Sequence, residues 1–410
     1  MSILHVWPQE PHKQDGVIQL SVAIEIPGWE RIELWYRIPE SQLPHLPMIS
    51  DHFVVGAIYL MMQTGVDVRI HGQVSPSLLR NLIEFQSAWV AMQPNLACVN
   101  ISADREQEPE PVPGGDRAIM AFSSGVDSCF TAFRHARSAG VRFPFNIGAG
   151  VMVHGFDIPL EDNEGFALAV ARSERILSSL GIALIPIATN YRQLVEDWSH
   201  SFGAALASCL HIFSGGFSHG LIGQGFTYRE IRSYNEGSNA LTDPLLSSDS
   251  FRIVPDGAAF ERFEKIYAMR NWPEFLHNLR VCWQGLQKDR NCCACEKCIR
   301  NILTFRALGL GLPPCFPNDV DDSMIRTMRM GSRRGPLPNI RYGELGRLAT
   351  ESGSQGPWVR VIEKRLAAYR YRYIKVPGIW NILHRLPHKS SRIWSRILGR
   401  GETIDKRRRR

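Results

Sequence analysis

After residue 117 the chain alternates between short apolar runs and longer stretches of helical periodicity, and this alternation constrains the fold more than any other feature. The apolar runs cover 117–122, 151–154, 182–188 and 221–224, and the helical stretches cover 129–139, 164–180 and 203–213. Strand-length apolar runs that take turns with helices are typical of βαβ units. We therefore expect an α/β fold with a doubly wound parallel sheet, in which ligands bind beyond the carboxyl ends of the strands.

Residues 1–107 have a different pattern. Two strand-like runs are joined by a Pro-Gly pair, and Ser75 to Met92 has helical periodicity behind a serine and a proline suited to a helix N-terminus. Residues 108–116 are rich in proline, glycine and acidic side chains, which excludes a regular helix or a central strand there. The sequence therefore predicts an N-terminal α+β domain, a linker at 108–116 and an α/β domain over 117–320.

Composition and charge set wide limits. A chain of 410 residues, 44% hydrophobic and 21% charged, is long enough for two or three domains. It has no run of about 18 apolar residues that could span a bilayer and no signal-peptide pattern at its start, so we expect a cytoplasmic protein. The net charge of +7 owes much to residues 321–410. We expect a basic helical extension over 321–410. Its basic amphipathic pattern at residues 379–400 predicts a helix that packs on this protein or docks on a partner protein, RNA or an anionic surface.

The first apolar run leads directly into a loop of small residues, Ser123, Ser124, Gly125, Val126, Asp127 and Ser128. A strand, a tight loop and a helix form an anion-binding arrangement, because small residues let the backbone approach a phosphate and the first N–H groups of the helix point at it. The loop lacks the Gly-Lys-Ser/Thr of a Walker loop and the glycine spacing of a dinucleotide site. The alternative is a capped strand-to-helix turn without a ligand.

Five of the nine cysteines lie within residues 282–298. Four thiolates around one tetrahedral Zn²⁺ would make a closed structural site, and pairs separated by two residues suit zinc. This spacing leaves Cys293 out of the predicted ligand set, which is Cys282, Cys292, Cys295 and Cys298. Basic residues that could offset the charge of the thiolates are Lys288, Arg290, Lys297 and Arg300. An iron–sulfur cluster or a redox pair is the alternative.

The loop resembles the Ser-Gly-Gly-x-Asp-Ser signature of the PP-loop ATP pyrophosphatases, with Ser124 in place of the first glycine. Together with the cysteine segment it resembles the 7-cyano-7-deazaguanine synthase family of the queuosine pathway, in which a glycine stands at the position of Cys293. The resemblance covers roughly Arg117 to Leu308. It implies cleavage of ATP between the α and β phosphates with Mg²⁺, transfer of AMP to a 7-deazaguanine-type substrate, and capture by an amine.

The resemblance also assigns roles to residues. Residues 123–126 and Ser128 would bind the phosphates of ATP, while Asp127 is either a Mg²⁺ ligand or an acid that stabilises the first helical turn. Lys265 would neutralise phosphate charge during adenylyl transfer. Its alternative is a place on a solvated helix face.

Four further residues are assigned more loosely. Asp243 would pair with a guanine-like edge of the substrate, and Arg262, in the same segment as Lys265, would contact the substrate. His154 and Gly155 follow a predicted strand at the active edge of the sheet, where they would contact adenosine. Residues at such positions otherwise cap the next helix.

The N-terminal domain and the basic extension lie outside the usual compact length of the synthase. In this respect the chain resembles the enlarged relatives found in bacterial antiphage gene clusters, which implies attachment of a 7-deazaguanine to a partner protein that acts as the acceptor. Two alternatives stay open. One is a PP-loop enzyme that modifies tRNA, and the other is a catalytically weakened scaffold that keeps the fold and the zinc, which Ser124 would favour.

Overall fold

The structure is a computed structural model, and it describes residues 3–110, 117–231, 236–327, 343, 345–350, 352–353 and 356–374. Its strands are β1 (Leu4–Pro8), β2 (His12–Gln14), β3 (Val17–Glu25), β4 (Ile32–Pro39), β5 (Val68–Val74), β6 (Ile101–Glu106), β7 (Arg117–Ala121), β8 (Asn146–His154), β9 (Ala183–Thr189), β10 (His219–Gly223) and β11 (Arg252–Asp256).

The helices in the described ranges are α1 (Asp51–Thr64), α2 (Pro76–Met92), α3 (Val126–Ala136), α4 (Asn163–Ser178), α5 (Tyr191–Leu194), α6 (Trp198–His211), α7 (Tyr228–Ile231), α8 (Arg262–Ala268), α9 (Pro273–Asn278), α10 (Glu296–Ala307), α11 (Asp322–Thr327) and α12 (Pro357–Ile374). Two short 3-10 helices cover Glu40–His45 and Asp243–Leu246. None of these helices is long and apolar enough to cross a membrane.

All of these strands belong to one sheet, in the order β11-β10-β7-β8-β9-β4-β3-β1-β5-β6, with β2 paired to β3 beside this path. The five strands from β11 to β9 are parallel. β9 then pairs with β4 in the antiparallel direction, and β4 pairs with β3 across a turn in which Gly28 has a φ of 81°. The α/β class is confirmed, and the sheet is mixed and mostly parallel.

The chain on both sides of the predicted linker contributes to this one sheet. The pairing of β4 with β9 is reinforced by side chains, because Thr189 Oγ1 donates to the carbonyl of Trp35 and Asn190 Nδ2 donates to the carbonyl of Glu33. Residues Met1–Gln355 form one compact unit and Gly356–Arg410 form a second. The second unit contains α12, while the amphipathic pattern predicted beyond residue 374 lies outside the described residues.

Helices cover both faces of the parallel part of the sheet. Ile185 and Ile187 of β9 belong to the large hydrophobic core that also contains residues of α1 and α6. Leu184, which points to the opposite face because side chains alternate along a strand, packs with Met152 and with Ala169 of α4. Helices thus pack against both faces of β9.

The order of the parallel strands reverses at one place. From β7 the chain proceeds to β8 and β9 on one side, and then returns to add β10 and β11 on the other side. A crevice opens at such a reversal, beyond the carboxyl ends of the two strands that flank it, and ligands of doubly wound sheets bind there. A ligand-binding site is therefore expected at the segments that follow β7 and β10.

Candidate functional site

The loop of small residues lies at the reversal. β7 is buried over Ala118 to Ala121 and ends there, and α3 begins at Val126 with Gly125 as its N-cap. Gly223 at the end of β10 allows the first turn of α3 to come close, because a Cβ at this position would lie 2.7 Å from the carbonyl oxygen of Asp127. The N-terminus of α3 therefore faces the crevice between β7 and β10, where its first N–H groups can donate to an anion.

Ser124 adopts a left-handed backbone conformation, which glycine adopts more readily than other residues. Its φ is 59°, in the left-handed region, and its side chain is almost fully buried. The Oγ of Ser124 lies 2.5 Å from the Oγ of Ser173 on α4, and the carbonyl of Ser124 accepts a hydrogen bond of 2.9 Å from the N–H of Arg280. These contacts offset a backbone strain of about 1–3 kcal/mol, so the serine is compatible with the loop geometry.

The contact between Ser124 and Ser173 is expected to contribute to the stability of the protein. Ser173→Ala is expected to lower the free energy of unfolding by about 1–2 kcal/mol, because the buried hydroxyl of Ser124 loses its partner. In a Ser124→Gly background the same change should cost less, since no hydroxyl is left unpaired and glycine adopts positive φ freely. Urea denaturation of the four proteins measures this coupling. Equal costs in both backgrounds would contradict the pairing.

Three charged side chains meet at the start of α3. The carboxylate of Asp127 accepts from Lys265 Nζ at 2.9 Å and from Arg262 Nη2 at 2.8 Å. Lys265 Nζ also donates to the carbonyl of Gln224, at 2.5 Å, just beyond the end of β10. The structure thus brings together Asp127, Lys265 and Arg262, which the sequence proposes as site residues, and adds Gln224.

Burial gives this cluster its electrostatic character. The side chain of Lys265 is only 2% exposed, and that of Arg262 is 15% exposed. A buried ammonium requires a nearby negative charge, because its desolvation is otherwise too costly. The interpretation of Lys265 as part of a solvated helix face is therefore wrong. Two cations and a helix N-terminus surround one carboxylate, so the cluster carries an excess of positive charge that suits a phosphate.

Asp243 connects to the same cluster through Gln224. Its carboxylate is fully buried and accepts from Gln224 Nε2 at 2.8 Å, Ser238 Oγ at 2.7 Å and Asn239 N at 3.0 Å. Burial raises the pKa of Asp243 to about 7, and the hydrogen bonds act in the opposite direction. The side chain is therefore held by the protein itself, and its role in contacting a base stays a prediction.

The raised pKa of Asp243 predicts a pH effect on stability. An unfolded aspartate titrates near about 3.9, so between roughly pH 4 and pH 7 the native carboxyl binds a proton that the unfolded one has lost. Its contribution to stability therefore falls as the pH rises through this window and is constant above it. Asp243→Asn should flatten that part of the profile, as measured by thermal unfolding at several pH values. Asp249→Asn, at a side chain that is 69% exposed, is the matched control and should leave the profile unchanged.

His154 and Gly155 lie at the end of β8. His154 Nε2 is 2.7 Å from the carbonyl of Pro159, and the imidazole stacks on Phe166 with ring centres 4.3 Å apart. Gly155 has a φ of 101°, and a Cβ there would lie 2.1 Å from the carbonyl oxygen of Thr189. His154 thus contacts the turn that follows β8, whereas Gly155 lines an open cavity.

The cysteine cluster has the geometry of a four-sulfur metal site. The sulfur atoms all lie within 4.8 Å of one another, with Cys282 and Cys295 3.8 Å apart and Cys292 and Cys298 3.9 Å apart. A tetrahedral zinc with Zn–S bonds of about 2.3 Å requires sulfurs about 3.8 Å apart. These four residues could therefore bind a metal such as zinc, and they are the four that the sequence selects.

The surroundings of the sulfurs suit thiolates. Backbone N–H groups of Gly285, Cys295 and Cys298 donate to the sulfurs of Cys282, Cys292 and Cys295 at 3.2, 3.3 and 3.5 Å. Four thiolates at these distances need a cation to balance their charge.

The fifth cysteine and the nearby basic residues have other roles. Cys293 is buried with a φ of 58°, the conformation that a glycine adopts readily. Arg290 pairs with Asp289, and Arg300 pairs with Glu296 at 2.8 Å, so these two cations are engaged by carboxylates. Lys288 Nζ donates to the carbonyl of Trp283, and Lys297 Nζ lies 5.9 Å from the centre of the Trp283 ring.

One residue that the sequence does not reveal joins the loop to the cysteine segment. Arg280 is buried, its Nη2 donates to the carbonyl of Ser123 at 3.2 Å, and its Nη1 donates to the carbonyl of Lys288 at 3.3 Å. Burial lowers the pKa of Arg280, while the nearby negative charges of Asp157, Cys282 and Asp289 act in the opposite direction. An isolated arginine outside any motif gives no signal of such a role.

No family model matches the chain, and no curated protein or solved structure matches it. The arrangement of the loop, the cations and the cysteines is therefore the basis for any functional conclusion.

Proposed function

We propose that this protein binds ATP at residues 123–128, cleaves it between the α and β phosphates and transfers AMP to an oxygen atom of a second substrate. The observation that carries this proposal is the cluster of Lys265, Arg262 and Asp127 at the N-terminus of α3. That cluster lies at the reversal of strand order, where doubly wound sheets bind nucleotides. The resemblance of the loop to the PP-loop signature supports the same conclusion.

Each part of the cluster has a task in this reaction. The first N–H groups of α3 have no acceptor within the helix, and such groups donate readily to phosphate oxygens. Lys265 and Arg262 stabilise the negative charge that develops on the leaving pyrophosphate when the bond between the α phosphorus and the bridging oxygen breaks. Mg²⁺ bound with ATP would neutralise further phosphate charge, and Asp127 would be its carboxylate ligand.

The cysteine site has a structural task in the proposal. We assign Zn²⁺ to Cys282, Cys292, Cys295 and Cys298, because four cysteines leave no open position for a substrate. Asn291 supports this segment from inside, since its Nδ2 donates to the carbonyls of Leu279 and Cys315 at 2.8 and 3.1 Å. The metal holds a loop-rich segment that has little hydrophobic core of its own.

The second substrate in this proposal is a 7-deazaguanine-type molecule, and the nucleophile that displaces AMP is an amine. The support is the resemblance of the loop and the cysteine segment to the 7-cyano-7-deazaguanine synthases. The length of the chain outside that resemblance supports a partner protein as the acceptor, as in the enlarged antiphage relatives.

Product analysis tests the proposed reaction. The purified protein is incubated with ATP, Mg²⁺, an ammonium salt as the amine and either 7-carboxy- or 7-cyano-7-deazaguanine, and the nucleotides are separated by chromatography. AMP and pyrophosphate that form only with a deazapurine are the expected result. If AMP forms only with tRNA, the substrate is tRNA and not a deazapurine. The absence of AMP with every acceptor would contradict the proposed reaction.

A further inference from the structure

A cavity of about 540 Å³ lies beyond the carboxyl ends of β8 and β9. Gly155, Asp157 and Arg192 line it from the sheet side, and Trp283 and Lys288 line it from the cysteine segment. Binding sites for small molecules typically have volumes of about 300–1,000 Å³. The cavity is therefore large enough for a purine nucleoside, and one part of its wall, formed by Trp283, Gln284 and Lys288, belongs to the segment that holds the metal ligands.

The guanidinium group of Arg280 connects the wall of this cavity to the loop at residues 123–128. Arg280 donates through Nη1 to the carbonyl of Lys288, a residue of the cavity wall, and through Nη2 to the carbonyl of Ser123, a residue of the loop. Arg280 therefore contacts both a residue of the cavity wall and a residue of the loop. This connection suits a nucleotide with its base in the cavity and its phosphates at the start of α3.

The wall formed by the cysteine segment has the chemistry of a base-binding surface. Trp283 is 41% exposed although it directly follows the buried Cys282. An exposed indole beside a cavity offers a flat face on which a purine can stack. On the sheet side Arg192 is engaged, because its Nη1 donates to the carbonyl of Phe156 and its guanidinium lies over Trp198.

We propose that the purine base of the bound nucleotide occupies this cavity and stacks on Trp283, so that the metal-bound segment forms one wall of the nucleotide site. This inference rests on the proposed binding of ATP at the loop. Trp283 and Lys288 lie within the chain segment that Cys282 and Cys292 close, so the metal ion fixes the position of the wall. Nucleotide affinity consequently depends on the metal ion even though the ion does not touch the nucleotide.

Calorimetric titrations of the full-length, metal-loaded protein with two ligands distinguish binding in the cavity from binding at the loop. One is α,β-methylene-ATP, which has a base, and the other is pyrophosphate, which has none; both are titrated with Mg²⁺. Trp283→Ala should weaken the binding of α,β-methylene-ATP by about tenfold, the size of one base–aromatic stack, and leave pyrophosphate binding unchanged. Leu286→Ala is the matched control, because Leu286 lies in the same segment and is fully exposed. It should change neither affinity.

Removal of the metal by a chelator should also weaken α,β-methylene-ATP binding at least tenfold, with the fold monitored by circular dichroism. Equal affinities of the wild type and Trp283→Ala for α,β-methylene-ATP would overturn the inference. An equal loss of affinity for both ligands in Trp283→Ala would overturn it as well, since the substitution would then affect phosphate binding at the loop. A wild-type protein that binds neither ligand would instead contradict the proposed function, so the two failures can be distinguished.

Discussion

Replacing Lys265 with methionine is expected to slow ATP cleavage by about 10²–10³-fold while the protein stays folded. The Nζ of Lys265 lies 2.9 Å from Asp127 in a place that water hardly reaches, so its charge acts on the phosphates with little screening. Methionine has a similar length without the charge, and Asp127 keeps Arg262 at 2.8 Å as its counter-ion. The rate of AMP formation and the thermal unfolding of the variant measure the two effects.

Lys13→Met is the matched control for this substitution. Lys13 lies on β2 with a side chain that is 48% exposed, and it pairs with Glu40 at 3.7 Å. We expect the control to cleave ATP at the wild-type rate. Asp127→Ala is a less specific test, because it leaves the buried ammonium of Lys265 without its carboxylate and destabilises the fold. An undiminished rate in Lys265→Met would contradict the role of the cluster.

Replacing Cys295 with serine is expected to remove the bound metal and to lower the free energy of unfolding by more than about 3 kcal/mol. A serine hydroxyl is a poor zinc ligand, and the three thiolates that remain would repel one another without a cation. The loss extends beyond the cluster, because Asn291 and Arg280 connect the segment to Leu279, Cys315 and Ser123. Metal content by mass spectrometry and urea denaturation should fall together.

Two other cysteines serve as controls for this prediction. Cys98 is exposed and remote in sequence from the cluster, so Cys98→Ser should change neither metal content nor stability. Cys293→Gly should keep the metal, because Cys293 lies outside the four-sulfur group and its φ of 58° suits glycine. A Cys295→Ser protein that is metal-free and as stable as the wild type would contradict the structural role of the site.

Local patterns predict the elements of this fold well. The helix expected at Ser75 to Met92 is α2, Pro76–Met92, and the strand expected at Arg117 to Phe122 is β7, Arg117–Ala121. Both depend on residue types close together in the chain, which is the information that periodicity and capping use. The pairing of β4 with β9 could not be predicted, because it depends on backbone hydrogen bonds between segments far apart in the chain.

In the candidate site, too, local features could be predicted from the sequence and contacts between distant residues could not. The four metal ligands follow from their spacing alone, and the loop follows from its position between a buried strand and a helix. The burial of Lys265 does not follow from its neighbours Glu261 and Glu264, which are polar, since it depends on Asp127 at a distance of 138 positions in the chain. The role of Arg280 does not follow from the sequence either, because its partners are backbone carbonyls that have no sequence signature.

The most direct test of the central claim is a crystal structure of the protein with α,β-methylene-ATP and Mg²⁺. We predict density for the phosphates at residues 123–128, within hydrogen-bond distance of the first N–H groups of α3 and of Lys265 or Arg262. Phosphates bound elsewhere on the protein, with the Asp127–Lys265 pair and the loop free of ligand, would contradict the assignment of the loop as the ATP site.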